Sequence, residues 1–136
     1  MSIHNNNIME DLLINYDTAV LAKEKGFNWK CYSMFHNKTL NVNDGHCDYN
    51  QPNHKFFIKE NIISAPTQSL LQKWLREIHH IYVTALPTYT GSAEIKRCFF
   101  EISFKNKTMQ FSDMYGYFDT YELALETGLQ EELNLI

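Results

Sequence analysis

Cysteine is scarce in this sequence, and long apolar runs are absent. Three cysteines, Cys31, Cys47 and Cys98, occur among 136 residues, and a chain of this length needs no disulfide framework to fold. No stretch approaches the ~20 apolar residues of a membrane-spanning helix, and the first residues lack the basic and apolar regions of a signal peptide. We therefore expect reduced thiols, no membrane span and a cytoplasmic location.

Short motifs of several enzyme classes are also missing. The sequence contains no G-x-x-x-x-G-K-S/T, G-x-G-x-x-G, G-x-S-x-G or H-E-x-x-H. These patterns mark nucleotide-phosphate loops, hydrolase nucleophiles and zinc protease helices. Their absence removes the support for those enzyme classes, and we predict no cofactor.

Positive charge is in the minority. The chain carries 12 Lys and Arg against 16 Asp and Glu, a formal net charge of -4. Such a chain repels polyanions on average. This charge disfavours nucleic acid and anionic membranes as partners, without excluding a local basic patch.

Apolar residues are, in contrast, plentiful. They make up 44% of the chain, and aromatic residues alone make up 14%, enough for a packed core at this length. We expect a single domain over residues 1–136. Residues 1–8 are polar and are predicted to fray, and residues 43–54 lack periodicity and are predicted to form an exposed loop.

The first helical signal lies near the start of the chain. Residues 18–25 are predicted to form a short helix, with Asp17 as its N-cap and Gly26 directly after its end. Residues 8–14 fit the spacing of a helix and also the pattern of an edge strand, and we leave both interpretations open.

The second helical signal is the clearest. It opens at residues 64–67, with Ser64 or Ala65 as the cap and Pro66 in the first turn, where no helical donor is lost. The predicted buried stripe is Leu70, Leu71, Trp74, Leu75 and Ile78, and the predicted outward face is Gln68, Gln72, Lys73, Arg76 and Glu77.

The third helical signal closes the chain. Asp119 as N-cap and Glu122 three residues later have the spacing of a capping box, and Gly128 indicates close approach to a sheet. The predicted buried stripe is Tyr121, Ala124, Leu125, Gly128, Leu129, Leu133 and Ile136, and the predicted outer face is Glu122, Glu126, Glu131 and Glu132.

Several segments have strand patterns. They are residues 28–35, 39–42, 55–59, 80–86 with an end at Pro87, 97–104 and 108–111. Turns at residues 36–38 and 105–107 join two of the pairs as hairpins. The predicted fold class is α+β, with an antiparallel or mixed sheet of about five or six strands and three helices, at least two of them packed on the sheet.

Three blocks of sequence resemble a known group of proteins. They are TAVLAKEKGF at 18–27, ISAPTQSLLQKWLRE at 63–77 and TYELALETGLQEELNLI at 120–136. In this order and spacing they resemble small uncharacterised proteins of phages, prophages and mobile elements of Bacteroidetes, and the middle block is the most specific. The resemblance implies a phage-related origin and a cytoplasmic setting, and assigns no chemistry to any residue. Leu123 departs from the pattern, since relatives often carry an acidic residue there.

Metal-capable side chains gather in and near the predicted loop. They are Cys31, His36, Asp44, His46, Cys47, Asp48 and His54. A structural zinc site needs four ligands, usually with close pairs such as C-x-x-C, and no such pair occurs here. We therefore predict no metal site, with His46, Cys47 and His54 as the weak candidates.

Glu77, His79 and His80 follow Arg76 at the end of the second helix. A histidine beside a carboxylate and a guanidinium could serve acid–base chemistry or hold an anion. The helix dipole alone also favours histidine at a helix C-terminus. We keep these three residues as weak catalytic candidates, and we do not expect an enzyme.

Basic residues flank the Phe-rich strand, namely Lys96, Arg97, Lys105 and Lys107. Aromatic and basic side chains on one sheet are typical of RNA-binding surfaces, although the strand also alternates as a core strand should. Tyr115 and Tyr117 lie in the connection before the last helix, and tyrosine is a preferred interface residue. Lys96, Arg97, Tyr115 and Tyr117 are the candidate binding residues.

The leading hypothesis is a small phage or prophage accessory protein that acts as a protein-interaction module without catalysis. Its partner is expected to be a protein, and a homodimer is one form that this could take. The alternative is a nucleic-acid-binding protein or a small enzyme that uses residues 76–80.

Overall fold

A computed structural model describes residues 12–47, 50, 61–89, 96–111 and 115–136. Within these residues the chain forms three helices and six strands. In chain order they are α1 (Tyr16–Glu24), β1 (Cys31–His36), β2 (Thr39–Cys47), β3 (Ile62–Ser64), α2 (Gln68–His79), β4 (Tyr82–Tyr89), β5 (Lys96–Phe104), β6 (Lys107–Gln110) and α3 (Tyr121–Asn134). The predicted α+β class is confirmed.

The strands form two antiparallel sheets. Their orders are β2-β1-β3 in the first sheet and β4-β5-β6 in the second. The described strands therefore form two sheets of three rather than the one sheet predicted, and β3 was not among the predicted strands. Helix α3 packs on β4 and β5, α2 contacts β4, and α1 contacts α3 and β3.

Two tight turns close the hairpins where the sequence predicted them. Asn37 and Lys38 have φ of 49° and 70°, and Lys105 and Asn106 have φ of 51° and 64°. Positive φ at both central positions is the conformation of a two-residue type I′ turn, whose backbone twist matches that of the flanking strands. Asparagine tolerates this conformation better than most residues, so each turn contains one well-suited residue and one lysine.

The predicted end of the fourth strand at Pro87 is wrong, because β4 continues to Tyr89 and Pro87 pairs with Cys98. The carbonyl of Val83 points away from β5 and accepts a 2.8 Å hydrogen bond from Gln72 Nε2. Pro87 follows Val83 by four residues, so its backbone also faces the free edge. The missing N–H of proline therefore costs no ladder hydrogen bond.

All three predicted N-caps differ from those in the structure. Helix α1 is capped by Asn15, whose side chain accepts from the amide of Thr18 at 2.9 Å, and Asp17 lies in the first turn. At its other end, Gly26 has φ of +93° directly after the C-cap, as predicted. Several residues of the types that cap helices lie close to one another at the start of each helix. Residue type alone therefore could not identify which of them is the N-cap.

Helix α2 is capped by Thr67, which accepts from the amide of Leu70 at 3.1 Å. Neither Ser64 nor Ala65 is the cap, since Ser64 belongs to β3. Helix α3 is capped by Thr120 rather than by Asp119. The predicted helices themselves exist.

The predicted loop at 43–54 is wrong for its first five residues, which continue β2 to Cys47. In the rest of that loop only Asn50 is described. Its side chain donates to the carbonyl of Phe27 and accepts from the amide of Ser64. The predicted strand at 55–59 and the predicted frayed residues lie outside the described residues. Leu13 forms an isolated antiparallel bridge with Thr67.

The main hydrophobic core joins residues of all three helices with residues of both sheets. A Cβ atom added to Gly128 would lie 2.6 Å from Val83 Cγ2 and 3.1 Å from the ring of Phe100, so the helix approaches the sheet as closely as predicted. The rings of Phe27 and Trp74 meet edge to face at 5.4 Å.

Two positions of α2 contradict its predicted faces, because Gln68 is buried and Ile78 is exposed.

Candidate functional site

The second sheet has one covered face and one face turned to solvent. Val83, Ala85, Phe100 and Ile102 are buried on the side of α3. Side chains alternate across a strand, so the intervening residues point the other way. We call this other side the open face. It consists of Tyr82, Thr84, Leu86 and Thr88 on β4, Arg97, Phe99, Glu101 and Ser103 on β5, and Thr108 on β6.

Aromatic side chains lie on the open face. Tyr82 is 50% exposed, and Tyr117 is 47% exposed. Tyr117 reaches this face because Cys98 and Phe118 exchange two backbone hydrogen bonds of 2.8 and 2.7 Å beyond the end of β6. The rings of Phe99 and Tyr117 stand perpendicular with centroids 6.3 Å apart. The open face therefore presents three aromatic rings, two of them well exposed.

Cationic groups lie at both ends of the open face. Arg97 is exposed and pairs with Thr88 at one end. Lys105, in the turn after β5, is exposed at the other end, about 25 Å away along β5 at the usual rise per residue. Lys107 is also exposed at that end, but it pairs with Phe104 and therefore points to the α3 side of the sheet. Glu101 lies between the two ends.

A cleft of about 660 Å³ lies at the lysine end of the open face. The end of α2, the start of β4 and the turn between β5 and β6 form it. Its lining is His79, His80, Tyr82, Ser103, Phe104, Lys105, Asn106, Lys107 and Thr108. We call it the histidine-lysine cleft.

His79 is a half-buried side chain in the histidine-lysine cleft. Its ring meets Trp74 edge to face at 4.7 Å, and its Nε2 is buried without a hydrogen-bond partner among the described residues. Burial lowers the pKa of His79, and the neighbouring imidazole of His80 lowers it further. Both effects favour the neutral form of the imidazole.

The structure separates the three catalytic candidates. His79 and His80 share the cleft, whereas Glu77 is paired with Lys73 one turn earlier on the exposed side of α2 at 3.8 Å. The carboxylate is absent from the described lining of the cleft. The acid–base pair considered from the sequence is thus not assembled by these residues.

The four binding candidates also have different locations. Arg97 and Tyr117 belong to or border the open face, and Lys96 begins β5 opposite Tyr89. Tyr115 lies apart from them and donates a hydrogen bond to Glu131 of α3. That bond, with the charge of Glu131, raises the pKa of Tyr115.

His46 and Cys47 lie in β2, where the backbone of Cys47 pairs with that of Cys31. His54 lies outside the described residues. Within the described ranges no three His, Cys, Asp or Glu side chains are grouped so that they could hold a metal ion.

Glu132 is a residue that the sequence reasoning misplaced. It was predicted on the outer face of α3, but it is fully buried, one turn after Gly128. Both carboxyl oxygens are without a hydrogen-bond partner in the part of the chain that is described. Burial raises the pKa of Glu132 to about 9, and the nearby Arg76 opposes this only in part. Glu132 follows Gly128 by four residues, and residues four apart lie on the same face of a helix. This spacing was the sequence signal for the burial of Glu132.

Glu126, also predicted to face outward, instead joins the three helices. Its carboxylate accepts from Gln68 Nε2 at 2.8 Å, from the amide of Asn15 at 3.0 Å and from the hydroxyl of Thr18. Gln130 donates to the same hydroxyl at 2.9 Å. These contacts explain why Gln68 is buried, and they give Glu126 a structural role.

No described helix is long and apolar enough to cross a membrane. Comparisons with protein-family models, with curated proteins and with solved structures find no match. The resemblance to phage proteins therefore stays a prediction from the three sequence blocks.

Proposed function

We propose that this chain is a binding protein without catalysis, and that the open face of the second sheet binds single-stranded nucleic acid. The observation that carries the proposal is the arrangement of Tyr82, Phe99 and Tyr117 between cationic groups at the two ends of the face. Among the alternatives predicted from the sequence, this arrangement favours nucleic acid.

The aromatic rings supply the first argument. Single-stranded nucleic acids bind proteins largely by stacking bases on exposed aromatic side chains, and sheet faces are a common platform for such stacking. Tyr82 and Tyr117 are about half exposed although each is anchored in or beside the sheet. A rigid, exposed ring loses little entropy when a base stacks on it.

The distribution of charge supplies the second argument. The whole chain has a net charge of -4, yet the open face and its lysine end combine Arg97, Lys105 and Lys107 with one described carboxylate, Glu101. Acidic side chains are instead numerous on α3, on the other side of the sheet. The local field thus favours a polyanion at the open face.

A direct binding measurement tests the proposal. Fluorescence anisotropy of a labelled oligothymidine of about a dozen nucleotides is expected to report a dissociation constant below about 100 µM at low salt. The double substitution Tyr82→Ser and Tyr117→Ser is expected to weaken binding at least ten-fold, since one stacked base contributes about 1–3 kcal/mol.

Tyr121→Ser is the matched control, because Tyr121 is 45% exposed but lies on α3. It is expected to leave the affinity unchanged. If the oligonucleotide does not bind, or if all three substitutions act alike, the open face is not a nucleic-acid surface.

A protein partner is the second candidate function, and one observation favours it. Leu40 and Val42 of β2 pair with Phe35 and Ser33, so they point to the core side of the first sheet, yet they are 43% and 69% exposed. Uncovered apolar side chains of this kind are a feature of protein-interaction surfaces.

A further inference from the structure

We propose that the histidine-lysine cleft binds the terminal phosphate monoester of a nucleotide or of a nucleic-acid strand. The inference deepens the proposed function, because it rests on a strand that occupies the adjoining open face. It assigns to the cleft a ligand chemistry that the open face alone does not require.

The charge of the cleft is the first argument. Lys105 and Lys107 come from the turn and from β6, and His79 and His80 come from the end of α2. No Asp or Glu is found among the described residues that line the cleft. Two lysines and two imidazoles thus line one cleft without a carboxylate, and the charge of the lysines would be neutralised by an anion such as a phosphate monoester.

The end of α2 opposes this attraction only weakly. The carbonyl end of a helix carries about half a negative charge, and its influence decays within one turn. Lys105 and Lys107 are exposed cationic side chains, and the ammonium of Lys105 lies 5.0 Å from the centre of the Phe104 ring. The two lysines therefore determine the sign of the field in the cleft.

Hydrogen-bond donors supply the second argument. Tyr82, Ser103 and Thr108 carry hydroxyl groups and share the open face, Asn106 carries an amide, and all four residues line the cleft. Ser103 Oγ and Thr108 Oγ1 lie 2.9 Å apart and share one hydrogen bond. Since that bond uses one of their two hydroxyl hydrogens, the other is left to donate elsewhere. Phosphate oxygens are strong acceptors and suit such a set of donors.

The size and position of the cleft supply the third argument. About 660 Å³ exceeds what a free phosphate fills and lies in the range of sites for small organic ligands. Tyr82 belongs both to the cleft and to the open face. A nucleotide whose phosphate lies among the lysines could therefore stack its base on the ring of Tyr82.

Histidine titration by NMR tests the inference. The pKa of His79 is measured in sodium phosphate and in sodium chloride of equal ionic strength. Bound phosphate is expected to raise the pKa of His79 measurably, because an adjacent anion favours the charged imidazolium. The double substitution Lys105→Asn and Lys107→Gln is expected to abolish this difference, and asparagine preserves the positive φ at residue 105.

The matched control is Lys38→Asn with Lys73→Gln. Lys38 occupies the corresponding positive-φ turn of the first hairpin, and Lys73 is exposed on α2, so the control removes the same charge away from the cleft. It is expected to retain the response to phosphate. An equal pKa in the two salts, or an equal loss in both variants, would overturn the inference.

A second measurement separates this inference from the proposed function. A 5′-phosphorylated oligothymidine is expected to bind at least several-fold more tightly than its 5′-hydroxyl form. If both forms bind equally, the open face binds nucleic acid and the phosphate assignment is wrong. If inorganic phosphate shifts His79 but neither oligonucleotide binds, the phosphate site stands and the proposed function fails.

Discussion

Glu132 is a carboxyl group in the interior of the protein, and the positive charge of Arg76 offsets the effect of its burial only in part. Because burial raises its pKa to about 9, the folded state holds a proton that the unfolded state releases above about pH 4.5. Stability therefore falls by about 1.4 kcal/mol for each pH unit between those two pKa values, and levels off above the higher one. At pH 7 the accumulated loss is on the order of 3 kcal/mol.

Glu132→Gln keeps the shape of the side chain and removes the proton equilibrium. We expect the variant and the wild type to be similarly stable near pH 4, and the variant to be more stable by about 2–4 kcal/mol at pH 7. Urea unfolding at a series of pH values measures this difference. Glu122→Gln, an exposed change on the same helix, is the control. A parallel pH dependence for Glu132→Gln and the wild type would show that Glu132 is already ionised in the folded protein.

At the scale of elements, local signals predicted more than long-range ones. The two hairpin turns depend on Asn37 and Asn106 and on the strands beside them, so both could be predicted. The caps could not be resolved among adjacent polar residues, and the strand through Pro87 depended on which edge of β4 is free. Assignment of the strands to two sheets depends on contacts between distant residues, which no local pattern reports.

The site was predicted in its parts but not in its arrangement. Arg97 stood out as a basic residue on the Phe-rich strand, and Tyr117 stood out because tyrosine is a preferred interface residue. Tyr82 did not, since its exposure follows from the pairing of β4 with β5. The buried position of Glu132 was hidden because an ionisable side chain is rarely fully buried.

The packing of α3 on the second sheet gives a prediction at the same scale. Gly128→Ala places a methyl group 2.6 Å from Val83 Cγ2. Overpacking costs about 1–3 kcal/mol, and alanine returns about 0.5–1 kcal/mol through its helix propensity. We expect a net loss of about 1–2 kcal/mol in the free energy of unfolding. Val83→Ala in the same chain should recover part of that loss, and a double-mutant cycle measures the recovery. Strictly additive effects would contradict the close contact.

At the scale of the whole molecule, the net charge of -4 and the cationic ends of the open face act on a polyanion in opposite directions. The net charge acts at long range and is screened within about 10 Å at moderate salt. Contacts between cations and phosphates form at short range and release counterions from the strand. Salt dependence therefore separates the two effects.

The number of phosphate contacts fixes the expected size of that dependence. If Arg97, Lys105 and Lys107 each neutralise one phosphate, the slope of log K against log salt is about -2 for a single strand, and each doubling of salt weakens binding about four-fold. Lys105→Asn with Lys107→Gln should reduce the slope to about -0.7, while Lys38→Asn with Lys73→Gln should leave it unchanged. Anisotropy titrations over a range of salt concentrations measure both slopes. Affinity that rises with salt would mean that repulsion by the acidic chain dominates. The open face would then not be a nucleic-acid surface, and its partner would instead be a protein surface that is uncharged or carries few acidic groups.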